Sequence, residues 1–161
     1  MEELLGYRCV QHFFPVWGDK ANYVMQAIVP DQDNLPMREQ LWARKLEGGR
    51  FELCCIPYFL RDLALGDIML LDDSGVLKKV AERSGRYVFR IWLGDSSTPL
   101  GEFQRELDSM GALQEWRAEN LGAIDLPDKE SAWNMAKYLW DRLQKGELEY
   151  ETGQIDPDFA S

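Results

Sequence analysis

A single histidine, His12, stands in the chain with Phe13 and Phe14 directly after it, so any histidine-based acid/base chemistry would have to run through that one side chain. No serine or cysteine spacing assembles with it into a nucleophilic triad. A lone histidine beside two phenylalanines reads as a packing or surface residue. The cysteines, Cys9 and the adjacent Cys54 and Cys55, form an odd set with neither a CxxC pair nor Cys/His metal spacing, and they read as buried free thiols in a reducing compartment. Acidic pairs at Asp31 and Asp33, Asp72 and Asp73, and Asp156 and Asp158 have the chemistry for a hard cation. Each lies among turn formers and lacks the rest of a calcium-loop pattern. Gly48-Gly49 and Leu65-Gly66-Asp67 match neither a phosphate loop nor a dinucleotide fingerprint. The expectation is therefore no catalytic residue, no metal set and no cofactor.

The elements that would position these residues fall into two halves. Residues 23–29, 40–46, 51–56, 68–71 and 76–83 are short β-type segments, with Glu47-Gly48-Gly49-Arg50 and Asp72-Asp73-Ser74-Gly75 supplying tight turns between them. They predict a curved antiparallel sheet or partial barrel over residues 1–84. Residues 87–93 then form a strand, and Ser97-Thr98-Pro99 offers a cap and a first-turn proline to a helix carrying Leu100, Phe103, Leu107 and Met110, ended by Gly111. Strands follow at 113–117 and 121–126. Asp128 caps a second helix with Trp133, Ala136, Trp140 and Leu143 on one stripe, widened by Ala132, Met135 and Leu139, and Gly146 stops it. Leu148 and Tyr150, alternating with Glu147, Glu149 and Glu151, make a last edge strand with its charges toward water. The order β-α-β-β-α-β is that of the ferredoxin-like motif. The predicted fold is thus α+β, an N-terminal antiparallel β unit packed on a ferredoxin-like unit at 85–161 whose end is an acidic tail.

Composition bounds the function. Hydrophobic residues make up 45% and aromatics 12%, enough to build a core without disulfides in 161 residues. The net charge of −10 disfavours nucleic acid and anionic membranes and favours a cationic protein. The charge is uneven, with 13 acidic against 10 basic side chains in residues 1–84 and 15 against 8 in residues 85–161. No signal-peptide pattern opens the sequence and no apolar run approaches the ~20 residues of a membrane span, so a soluble, cytoplasmic protein is expected. Trp133 and Trp140, seven residues apart, share a helix face, and six Trp in one chain are enough to spare one or two as interface anchors.

The stretches Leu41-Trp42-Ala43, Phe51-Glu52-Leu53, Ile56-Pro57-Tyr58-Phe59, Leu63-Ala64-Leu65-Gly66-Asp67-Ile68 and Val80-Ala81-Glu82-Arg83-Ser84-Gly85 resemble a family of short bacterial domains of unknown function. The closing Gly146-Glu147-Leu148-Glu149-Tyr150-Glu151-Thr152-Gly153 is similar to that family's ending, and the resemblance covers residues 39–153. It implies no catalytic residue. In size, charge and lack of chemistry the chain also resembles, more loosely, the immunity proteins of polymorphic or contact-dependent growth inhibition toxins.

These readings lead to one expected function and one alternative. The first is a cytoplasmic immunity protein that neutralises a cationic toxin domain, a nuclease in the first instance, through Glu147, Glu149, Glu151, Asp156 and Asp158, with Asp72 and Asp73 as a second patch. The alternative is a small-molecule-sensing domain with its ligand in the cleft between the two units. An enzyme ranks third, with carboxylates or His12 doing acid/base work, and a pocket containing His12 and a carboxylate within ~3 Å of each other would favour it. Sequence does not specify an oligomeric state.

Overall fold

In the computed structural model of the chain, residues 2–4, 7–30, 36–95 and 98–154 are described. The first half is a seven-stranded sheet. β1 (Glu2–Leu4) and β2 (Tyr7–Val10) pair antiparallel, and β2 then runs parallel to the start of a longer strand, β4 (Met37–Lys45). β3 (Tyr23–Val29) lies antiparallel along β4 on its other side, from Tyr23 opposite Ala43 to Val29 opposite Met37. From β4 the sheet continues antiparallel through β5 (Arg50–Leu53), β6 (Ile68–Leu71) and β7 (Leu77–Glu82). A parallel bridge between Gln26 and Val76 brings the end of this series back to β3, so the sheet curls into a partial barrel. The parallel β2–β4 pair departs from the purely antiparallel expectation, and β4 starts three residues before the predicted residue 40. Alternation explains the barrel core: Met25, Ala27 and Val29 of β3 and Met37, Leu41 and Ala43 of β4 point inward. Gly48 and Gly49 both hold positive φ in the 3-10 turn before β5, a region that disfavours side-chain-bearing residues.

The second half is a four-stranded antiparallel sheet built from β8 (Tyr87–Trp92), α1 (Leu100–Ser109), β9 (Leu113–Ala118), β10 (Leu121–Leu126), α2 (Lys129–Gln144) and β11 (Glu149–Thr152). Its spatial order β11-β8-β10-β9 completes the ferredoxin-like arrangement, with β10 inserted between the two strands that α1 connects. Both helices cover one face. Phe89, Ile91, Ile124 and Leu126 from the strands meet Phe103 and Leu107 of α1 and Ala132, Met135 and Leu139 of α2. Asp128 caps α2 as expected, accepting from the Ser131 N–H at 2.8 Å.

Two local expectations change. α1 is preceded by Pro99 in an extended conformation with no side-chain cap, and Thr98 instead donates to the Glu147 carbonyl at 3.5 Å, while Ser97 lies outside the described residues. On α2 the buried stripe is Ala132, Met135 and Leu139, and Trp133 and Trp140 fall to its exposed side. The apolar arc is centred about one position away from the Trp pair, because the smaller side chains fit the close approach of helix to sheet.

The opposite face of the four-stranded sheet packs on the barrel. Val88 and Ala123 belong to the barrel's own apolar core, and Leu113 packs against it. The Asp62 N–H donates to the Gly153 carbonyl at 2.6 Å and the Gly153 N–H to the Val88 carbonyl at 2.8 Å, which ties the barrel loop to the end of β11. Arg86 forks onto both oxygens of buried Asp125, at 3.0 Å from its Nε.

Candidate functional site

Where the units meet, three charged side chains far apart in sequence come together out of reach of water. His12 is 2% exposed, and its ring lies between two carboxylates, with Nε2 2.7 Å from Glu39 Oε2 and Nδ1 2.7 Å from Glu115 Oε1. Glu39 reaches this point because strand alternation puts it on the inward side of β4 between Met37 and Leu41. Glu115 occupies the barrel-facing side of β9. Loops complete the cluster: Tyr58 and Phe59 donate their N–H groups to Glu39 at 2.8 and 3.0 Å, and Ile56 donates to Glu115 at 2.6 Å. The Tyr58 ring stacks on the imidazole at 4.4 Å, and the Trp42 indole N–H donates to the His12 carbonyl at 3.1 Å.

Burial alone would push the histidine toward its neutral form, but hydrogen bonds and Coulomb attraction from Glu115 and Glu39 outweigh it and raise its pKa to about 9. For Glu39 the order is the same: burial opposes ionisation, and His12 with the Tyr58 and Phe59 amides prevails, holding it below the usual carboxylate range. His12 is therefore an imidazolium donating from both nitrogens. One positive charge between two carboxylates leaves an excess negative charge, and Arg90, 5% exposed on β8, lies within the field of Glu39 and Glu151 and offsets it. The distance between His12 and a carboxylate meets the geometric condition for acid/base work. The imidazole is nevertheless enclosed with both nitrogens engaged, so no substrate proton can reach it in this arrangement. Cys55 beside the cluster is buried and its thiol is pushed well up, and burial raises Cys54 to about 11, so both stay protonated and unreactive.

A cleft of about 230 Å³ opens at the same junction, between the 58–59 loop and the face of β8 and β11. Tyr58 and Phe59 form one wall, Trp92 and Arg90 another, and Glu149 and Glu151 line it from β11, where they stand opposite Trp92 and Arg90 in the strand register. Arg90 donates from Nη1 to Glu151 Oε1 at 3.3 Å, while its Nε and Nη2 are shielded from water and have no hydrogen-bond partner among the described residues.

Of the acidic residues expected to form a docking strip, Glu149 and Glu151 lie on β11 and Glu147 two residues before it. Glu147 pairs with Arg142 at 2.5 Å and Glu151 with Arg90 and, at 3.8 Å, Arg61. Glu149 is exposed and makes no ion pair among the described residues. Asp72 closes its own turn, accepting from Ser74 and Val76 at 2.8 and 3.0 Å, with Asp73 exposed beside it in the barrel half. Asp156 and Asp158 lie outside the described residues. Among the described residues no group of acidic, His and Cys side chains is arranged to hold a metal ion, and no helix is long and apolar enough to cross a membrane.

Aromatic exposure is the other feature of this side of the molecule. Trp133 and Trp140 on α2 are 51% and 54% exposed and, with Tyr150 of β11, line an apolar hollow of about 200 Å³; Trp92, 47% exposed, ends the neighbouring β8 opposite Glu149. Sequence reasoning missed Glu39, Glu115 and Arg90. A signal was present for each, a charged residue on the apolar phase of a strand, but a strand begun at residue 40 leaves Glu39 off it.

The family model described as a domain of unknown function (DUF4265) matches residues 39–150, and the chain belongs to that family. No curated protein matches it. Among solved structures, a hypothetical protein from Neisseria gonorrhoeae superposes with a TM-score of 0.71 at 19% identity, over 82% of this chain and 94% of that one, and so shares the fold.

Proposed function

We propose that this member of the family is a binding protein that holds a cationic protein partner on the surface around β11 and α2, in the way an immunity protein covers the basic cleft of a toxin domain. The observation that carries the reading is the joint half-exposure of Trp133 and Trp140 over one apolar hollow that Tyr150 of β11 completes. Grouped aromatics left in water mark interaction surfaces, and tryptophan is enriched among residues that dominate binding energy. The charge of −10 supplies a field that draws a basic partner and speeds encounter. A toxin nuclease is the expected class because its nucleic-acid cleft must be basic, and carboxylates there replace phosphates. A cytoplasmic location follows for such a partner.

The test is binding to a non-toxic form of the product of the neighbouring gene. Trp140→Ala is expected to weaken the complex about 30-fold, the effect of a ~2 kcal/mol hot spot. Glu149→Lys should slow association at low salt and leave dissociation nearly unchanged. A neighbour that fails to bind, or binding indifferent to Trp140→Ala, overturns the proposal.

A further inference from the structure

We infer that the cleft between the barrel and β11 is a site for a small zwitterion, the size of a free amino acid, with its carboxylate on Arg90 and its ammonium between Glu149 and Glu151. It is argued from Arg90 and the cleft, and shares only Glu149 with the proposed partner surface.

It begins with Arg90. Nε and Nη2 form the side-on fork of a guanidinium, two parallel donors spaced for the two oxygens of a carboxylate. In this protein both are buried and unpartnered among the described residues, on a side chain that lines a cavity. Buried donors left without acceptors are costly, so an oxyanion that takes them gains more than it would from a solvated arginine. Its strand position, flanked by Phe89 and Ile91 in the opposite core, fixes the backbone from which the guanidinium reaches the cleft.

The remaining groups narrow the ligand. At about 230 Å³ the cleft is smaller than the ~300–1,000 Å³ typical of drug-sized sites, and it suits a molecule of a few carbons. Tyr58, Phe59 and Trp92 offer flat apolar walls for a hydrocarbon or aromatic body. Glu149 lacks an ion pair among the described residues, and Glu151 holds Arg90 only by a long 3.3 Å contact from an exposed position. When an ammonium enters, Glu151 turns from Nη1 to the ligand, and the released guanidinium rotates its fork out of burial toward the carboxylate. Charge stays balanced, since the ligand brings one of each sign.

The experiment screens each common amino acid by thermal shift and tryptophan fluorescence, then compares the tightest binder with its deaminated acid and its decarboxylated amine. At 100 times Kd the ligand should raise Tm by about 5 °C or more and alter the emission of Trp92. The amine, which cannot engage Arg90, should bind at least ~10-fold more weakly. Glu149→Gln, at an exposed position, should weaken the amino acid up to about 5-fold and leave the deaminated acid unaffected. Arg90→Lys should lose both ligands; should that variant fail to fold, the analogue series on Glu149→Gln still decides. No response to any amino acid at about 10 mM, where even a millimolar site would be occupied, overturns the inference. Equal binding of the amino acid and its amine does so as well.

Discussion

The two faces of the β8–β11 sheet are made from alternate residues of the same strands, yet they are held by different physics. Toward the helices, Phe89, Ile91, Ile124 and Leu126 build an apolar layer. Toward the barrel, Arg90, Glu115 and Asp125 are buried among Val88, Ala123 and Leu113. Apolar burial is non-directional, and it suffices on the helix face because short connections already fix where each helix can lie. Two units that meet across a broader surface need directional contacts to set their mutual position. The Glu39–His12–Glu115 bridge provides them, since each carboxylate also takes N–H groups from the 56–59 loop. Such a cluster adds specificity more than net stability, because desolvation offsets much of the Coulomb gain.

The strongest way to break this comparison is Glu115→Ala. It leaves the imidazolium short of one carboxylate and the Ile56 N–H without an acceptor, and it should lower the unfolding free energy by about 3–5 kcal/mol in urea titrations. A loss below about 1 kcal/mol would mean that the barrel face is held by its apolar residues alone.

The second test uses pH. A histidine that titrates near 9 when folded and near 6.5 when unfolded binds its proton more tightly in the native state. Its contribution is complete below the unfolded value and is lost as pH rises through the folded one, by about 3 kcal/mol in all. Depressed Glu39 acts at the other end: its contribution is present above the unfolded carboxylate range and disappears as pH falls through the folded value. Stability should therefore decline between pH 6.5 and 9, and His12→Ala should abolish that slope whatever its effect on stability at neutral pH.

The third test belongs to the helix face, where shape governs. A Cβ at Gly122 would lie 2.6 Å from the Trp116 ring, which is anchored edge-on to Phe103 and by its N–H to Gln114 at 2.9 Å. Gly122→Ala should cost about 1–3 kcal/mol through overpacking, with no change in pH dependence. A pH-dependent loss would show that the two faces are coupled.

Much of the architecture was legible because it is local. The strands at 23–29, 68–71 and 121–126 and the Asp128 cap fall where alternation and capping place them, and β-α-β-β-α-β is enough to identify the ferredoxin-like order. The α2 stripe was misplaced because tryptophan is apolar by type, whereas the sheet accepts the smaller Ala132, Met135 and Leu139 at close range. Pairing was not legible, because a count of charges does not say which meet: Arg142 pairs with Glu147 and Arg90 with Glu151.

By itself the sequence determined the class of fold, the acidic field and the pattern of faces on each strand, since these depend on residues within a few positions of one another. Only the tertiary structure decided that His12 would be a buried cation. Its partners Glu39 and Glu115 lie 27 and 103 positions away, and no local propensity records that two sheets will close over them. The same closure sets Arg90 along a cleft and leaves two of its buried donors without a partner among the described residues, because a side chain's partners are set by which surface packs against its strand and not by its neighbours along the chain.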